Sequence, residues 1–182
     1  MADRAPGAVF LDRDGTLAED PGYLHDPERV RLLPGVADGL GRLAAAGWPL
    51  VVVSNQSGIA RGLFEPGAFE AVNRRVEELA GVRFAGTYFC PHHPDFTGRC
   101  ECRKPAPQLF RDAARDLGLD LARSWFVGDR AGDVQPARSL GGNGVLIRAT
   151  ARPSDLTAAL RDGIPTAADF LEATSLILAQ VP

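Results

Sequence analysis

The sequence predicts an α/β fold in which a central, mainly parallel sheet is covered by helices on both faces. Three short apolar runs that end in polar residues recur along the chain: AVFLD (8–12), LVVVSN (50–55) and WFVGD (125–129). Stretches with helical spacing fill the gaps between them. Strand and helix therefore alternate, an order that lays parallel strands side by side.

The first run is rich in apolar residues and bounded by Gly and Asp. Strands covered on both faces read as continuous apolar runs of this kind. Val36, Leu40, Leu43 and Ala44 then share a helical face before a stop at Gly47. After the second run, Phe69, Val72, Val76 and Leu79 repeat that pattern before Gly81. Room remains for one strand and a loop at residues 90–102 that holds all three cysteines. Leu109, Phe110, Ala113, Ala114 and Leu117 define a helix that begins near Gln108 and stops at Gly118. The third run follows, then GVLIR (144–148) as a further strand. Beyond Pro153 the pattern weakens, and Asp169 to Ala179 reads as a closing helix. There is no repeat and no dividing linker, so residues 1–182 are expected to form a single domain with no inserted cap.

Composition narrows the function classes. The chain is 45% hydrophobic and 24% charged, as globular proteins are. A net charge of -3 argues against a broad basic surface for nucleic acid. No apolar run approaches the roughly 20 residues of a membrane helix. The start, MADRAPGAVF, lacks the features of a signal peptide. A cytoplasmic monomer without nucleic-acid or membrane partners is the expectation.

In parallel α/β sheets, polar residues just past the strand ends gather along the ligand-binding edge. Here they would be Asp12, Asp14, Ser54, Asn55 and Asp129. Two carboxylates spaced as Asp12 and Asp14 can divide the work of attack and proton transfer, and their repulsion calls for a hard divalent cation. Asp129, with Asp133 four residues on, can complete such a site. Each Asp taken alone could equally be a turn or helix cap; recurrence at three strand ends favours a shared site. Neither a Walker-type phosphate loop nor G-x-G-x-x-G is present.

Cys90-x-His92 and Cys100-x-Cys102 supply three thiolates and an imidazole. That donor set suits Zn²⁺ in a closed, structural tetrahedral site. His93 is an alternative to His92, which the symmetry of the spacing favours; free thiols without metal are the other reading. Arg103 and Lys104 follow at once, so a zinc clip would fix where these long side chains start.

FLDRDGTL, VVVSNQSG, RKPAP and FVGDRAGD resemble, in order, the four motifs of the haloacid dehalogenase (HAD) superfamily of phosphohydrolases. The resemblance implies a Rossmann-like HAD fold and a phosphatase. It makes Asp12 the nucleophile, Asp14 the general acid and base, and Ser54 and Lys104 the phosphoryl stabilisers. Mg²⁺ would sit on Asp12, the carbonyl of Asp14 and Asp129, with Asp133 on the metal or just behind it. The cysteine loop resembles the zinc-containing, capless branch that acts on heptose bisphosphates and on histidinol phosphate. DPGYLH (20–25) and SNQSGIARG (54–62) look more like the heptose-specific members. That likeness implies a phosphosugar substrate held by Asp20, Pro21, Gly22, Tyr23, Ser54, Asn55, Gln56, Ser57, Arg103 and Arg130. It also favours His92 over His93 as the zinc ligand. A histidinol-phosphate or broader phosphatase, and a zinc-stabilised binding module without turnover, are the competing expectations. Arg61 reads as an anion contact or a plain surface residue.

Overall fold

The computed structural model describes residues 5–180. The reading of a leader-free N-terminus falls partly on residues outside that range. In chain order the elements are β1 (Val9–Leu11), α1 (Val36–Ala45), β2 (Leu50–Asn55), α2 (Ser57–Ala60), α3 (Pro66–Ala80), β3 (Gly86–Cys90), α4 (Pro94–Thr97) and α5 (Gln108–Leu117). They continue with β4 (Trp125–Gly128), α6 (Ala131–Val134), α7 (Pro136–Leu140), β5 (Asn143–Ile147), α8 (Pro153–Arg161), β6 (Thr166–Ala167) and α9 (Phe170–Leu178).

The strands form one six-stranded sheet in the order β3-β2-β1-β4-β5-β6. Every pairing in it is parallel. Successive side chains of a strand point to opposite faces, and both faces are packed. Val9, Leu11, Val52, Val127 and Val145 meet Leu40 and Leu43 of α1, Val72 of α3 and Phe170 of α9. Phe10, Val51, Val53 and Phe126 point the other way, onto Leu109, Phe110 and Ala113 of α5. On that second face Phe10 stacks on Phe126 with ring centroids 5.1 Å apart, and Phe110 meets both edge-on. Covering both faces is why the strands lack polar alternation.

Gly81 and Gly118 end α3 and α5 in the left-handed conformation, and Asp169 caps α9 by accepting the Glu172 N–H. Trp125 is buried and Trp48 packs against the core. Among the described residues no cap domain is inserted: α1, with a 3₁₀ turn, separates β1 from β2, and α2 and α3 separate β2 from β3. No helix among the described residues is long and apolar enough to cross a membrane.

The chain runs outward from β1 through β2 to β3, then returns to lay β4 on the other side of β1. Strand order reverses between β1 and β4, and ligands of open α/β sheets bind outside the strand ends at that point. Asp12 follows β1 there, and Asp129 follows β4.

Candidate active site

Asp12, Asp129 and Asp133 each place a carboxylate oxygen within 4.8 Å of the others'. Lys104 Nζ reaches into the same space. It donates to Asp12 Oδ1 at 2.8 Å and to the Val53 carbonyl at 2.6 Å, and pairs with Asp133 Oδ1 at 2.7 Å. Its three protons are therefore all engaged. Asp133 uses its other oxygen to accept the Arg130 N–H at 2.9 Å. With both oxygens occupied, Asp133 holds Lys104 and the start of α6.

Three buried carboxylates thus face one buried ammonium, with Arg130 half-buried at the edge. The charge imbalance is visible in the acidities. Burial pushes the Asp12 carboxyl up to about 8, with Asp133 and Asp14 adding to the effect and Lys104 opposing it. Burial, then Asp133, raises Asp129 to about 7 against the pull of Arg130. Burial alone would lower Lys104, but Asp12 and Asp133 outweigh it and hold the ammonium above its ordinary value.

These residues fit a divalent cation. Neither oxygen of Asp129 receives a hydrogen bond, although Arg130 Nη1 approaches one of them to 2.5 Å. Buried oxygens of that kind are normally satisfied. Gly15 keeps the space open: a Cβ there would fall 2.6 Å from Asp129 Oδ2, and its φ of +83° already favours glycine.

Ser54 and Asn55 end β2. The Ser54 hydroxyl accepts from Gln56 Nε2 at 2.8 Å, and the same Nε2 donates to Asp14 Oδ2 at 2.8 Å. Asn55 turns its amide onto the backbone of Lys104, accepting its N–H at 3.0 Å and donating to its carbonyl at 3.2 Å. Both amides are expected from the sequence to contact substrate, yet both spend these bonds on positioning other residues. Arg13 is absent from the sequence expectations altogether. It is fully buried and forks onto Asp14 through Nε and Nη2, at 2.8 and 2.9 Å.

A cleft of about 540 Å³ opens above these groups. Its walls include Asp12, Asp14, Asp20, Gly22, Tyr23, Ser54, Asn55, Gln56, Ser57, Arg103, Lys104 and Arg130. Asp129 is fully buried and does not line it. Pro21 does not line it: Asp20 closes a turn by accepting the Gly22 N–H, and Pro21 sits exposed within that turn. Gly132, Asp133 and, at the start of α8, Arg152 and Asp155 also line it; of these four only Asp133 is expected from the sequence. Arg152 is exposed, and Asp155 accepts the Ala131 N–H. Arg61 neither lines the cleft nor stays free; it lies over Phe96 at 4.6 Å and Tyr23 at 5.8 Å.

Cys90, His92, Cys100 and Cys102 converge beside the cleft, their ligand atoms within 4.8 Å of one another. Cys90 Sγ is 2.9 Å from Cys102 Sγ and 3.5 Å from Cys100 Sγ, and His92 Nδ1 is 3.2 Å from Cys102 Sγ. Three sulfurs and a nitrogen gathered in one place are a donor set that could hold zinc. His93 instead caps α4 by accepting the Asp95 N–H. Cys90 is fully buried at the end of β3, so the cluster is rooted in the core.

Buried carboxylates and a lysine at the strand-order reversal, under an uncapped cleft, define a phosphohydrolase of the HAD type. A HAD-hydrolase-like family model matches residues 101–173. A D-glycero-beta-D-manno-heptose-1,7-bisphosphate 7-phosphatase of Yersinia pestis is 44% identical over 155 residues, which are 80% of this chain and 82% of the relative. The phosphatase of that name from Escherichia coli K12 is 43% identical over 162 residues, 84% of each chain. The crystal structure of a D,D-heptose 1,7-bisphosphate phosphatase from B. bronchiseptica, complexed with magnesium and phosphate, superposes with a TM-score of 0.83. It is 31% identical, and the match covers 96% of this chain and 99% of that one. The chain belongs to the HAD-like hydrolases, in the family of these heptose-bisphosphate phosphatases, and is a phosphatase.

Proposed function

We propose that the substrate is D-glycero-β-D-manno-heptose 1,7-bisphosphate and that the 7-phosphate is removed. The observation that carries this reading is a set of arginines beyond what the transferring phosphoryl group needs. Lys104 suffices for the phosphoryl group being transferred, yet Arg103, Arg130 and Arg152 also line the cleft. A second phosphate on the same sugar would use them, because guanidinium forks match phosphate oxygens. Histidinol phosphate would bring a cationic amine to the same guanidinium-lined cleft.

Asp12 attacks phosphorus, the bond to the sugar oxygen breaks, and an aspartyl-phosphate forms. Asp14 gives its proton to the departing alkoxide, then takes one from the water that cleaves the intermediate. Lys104 exchanges its bond to Asp12 for one to a phosphoryl oxygen, and the Ser54 hydroxyl holds another. Mg²⁺, held by Asp12, Asp129 and the Asp14 carbonyl, would offset the carboxylate excess and polarise the phosphoryl group. Cys90, His92, Cys100 and Cys102 would hold Zn²⁺ as four protein ligands, and the ion would act there as a structural brace.

Initial rates of phosphate release on both heptose bisphosphate anomers, histidinol phosphate and simple sugar phosphates test the reading. The β-bisphosphate is expected to lead in kcat/KM by at least about tenfold, the value of one good charged contact. A lead for histidinol phosphate would overturn it.

A further inference from the structure

We infer that Arg13 is a positioning residue that selects Oδ1 of Asp14 as the atom that gives and takes the catalytic proton. The inference rests on reading Asp14 as the general acid and base. A carboxylate offers about four lone-pair positions. Arg13 Nε fills one on Oδ1, at 2.8 Å. Arg13 Nη2 and Gln56 Nε2 fill both on Oδ2, at 2.9 and 2.8 Å. One position stays open, on Oδ1. Asp14 lines the cleft, so that position is the one through which a proton can pass to a sugar oxygen.

Stability does not account for Arg13. Its side chain has no solvent exposure, and Nη1 is buried with no hydrogen-bond partner. Buried ion pairs are often matched or bettered by apolar residues of similar volume, and an unmade buried bond adds a further cost. The rest of the residue is tightly placed. The guanidinium lies 5.0 Å from the Phe69 ring centroid, and Nη2 also donates to the Leu24 carbonyl at 3.1 Å. Leu24 belongs to the segment that brings Tyr23 to the cleft, so the bond ties that wall to the acid.

The test compares a sugar phosphate, whose alkoxide needs a proton to leave, with p-nitrophenyl phosphate, whose phenolate does not. For both, kcat/KM reports events up to formation of the aspartyl-phosphate, before the water step. Arg13→Lys keeps the charge and loses the fork. It is expected to lower kcat/KM on the sugar ester by about tenfold to a hundredfold more than on the aryl ester, a share of what general acid catalysis contributes. Equal losses on both esters, in a variant with unchanged melting temperature, would overturn the proposal. If Arg13→Lys does not fold, Gln56→Leu removes one of the three bonds, and the same comparison decides by the same criterion. Asp14→Asn separates the two ideas. If it lacks the ester selectivity, the acid assignment itself fails. If it has it, adding Arg13→Lys should cause no further selective loss, and an additional loss would count against Arg13 acting through Asp14.

Discussion

Asp12 is held in an environment that resists its own charge. Burial and two neighbouring carboxylates oppose ionisation, and Lys104 supports it from 2.8 Å. Such tension suits a nucleophile whose charge is consumed when it attacks. Asp12→Asn is therefore expected to lower kcat by at least about a thousandfold. It should leave the melting temperature in EDTA equal or higher, because one of three crowded negative charges is gone. Phosphate-release rates beside a thermal melt check both halves, and an unaffected rate would sink the nucleophile assignment. The strand-end carboxylates are legible in the sequence because each ends an apolar run. Arg13 is not. In FLDRDGT it looks like one more charged turn residue, and such residues are usually exposed. Its burial depends on Phe69 and Leu24, which no local pattern connects to it. Asn55 and Gln56 are found as residues of the site, but their bonds to Lys104 and Asp14 exist only once the strand ends meet.

Two elements hold Lys104 and Arg103, and they can be told apart. The cysteine loop fixes the segment from one side, and Arg103 Nη1 donates back to the His92 carbonyl at 3.3 Å. The end of β2 fixes it from the other side through the paired Asn55 bonds to the Lys104 backbone. The cysteine loop is thus one of two restraints on a segment for which the sequence offers no second. Loss of zinc, through Cys100→Ser or a strong thiol-reactive chelator, is expected to raise KM through Arg103 more than it lowers kcat. Asn55→Ala should do the reverse. Metal content and steady-state kinetics on each preparation check this, and a zinc-free protein with normal KM would contradict it. The major helices and strands are legible because each carries a long period or a continuous apolar run. The end of the chain is not, since β6 is the dipeptide Thr166–Ala167 and α8 buries only Ala159. Arg152 escapes notice for the same reason: the element that carries it to the cleft has little sequence signal.

Across the whole molecule, the carboxylate cluster links folding to pH and to Mg²⁺. Acids whose folded values lie above the ordinary 3.8, Asp12 at about 8 and Asp129 at about 7, bind more protons folded than unfolded in between. Their contribution to stability is full at acid pH and is lost as pH rises through that window. In EDTA the melting temperature should therefore fall between about pH 4 and pH 8, and added Mg²⁺ should restore it most at the upper end. Melts across that range with and without the ion check this; a flat profile would refute the charge balance described above. The sheet order carries a further consequence, for synthesis. β1 lies between β2 and β4, yet 113 residues separate the end of β1 at Leu11 from the start of β4 at Trp125. Until Trp125–Gly128 leaves the ribosome, one edge of β1 has no partner, and unpaired edges invite other chains. On the proposed mechanism, Asp12 would likewise be inert until Asp129 arrives. A nascent chain would thus carry its proposed nucleophile for 117 residues before Asp129, which completes the site, is made.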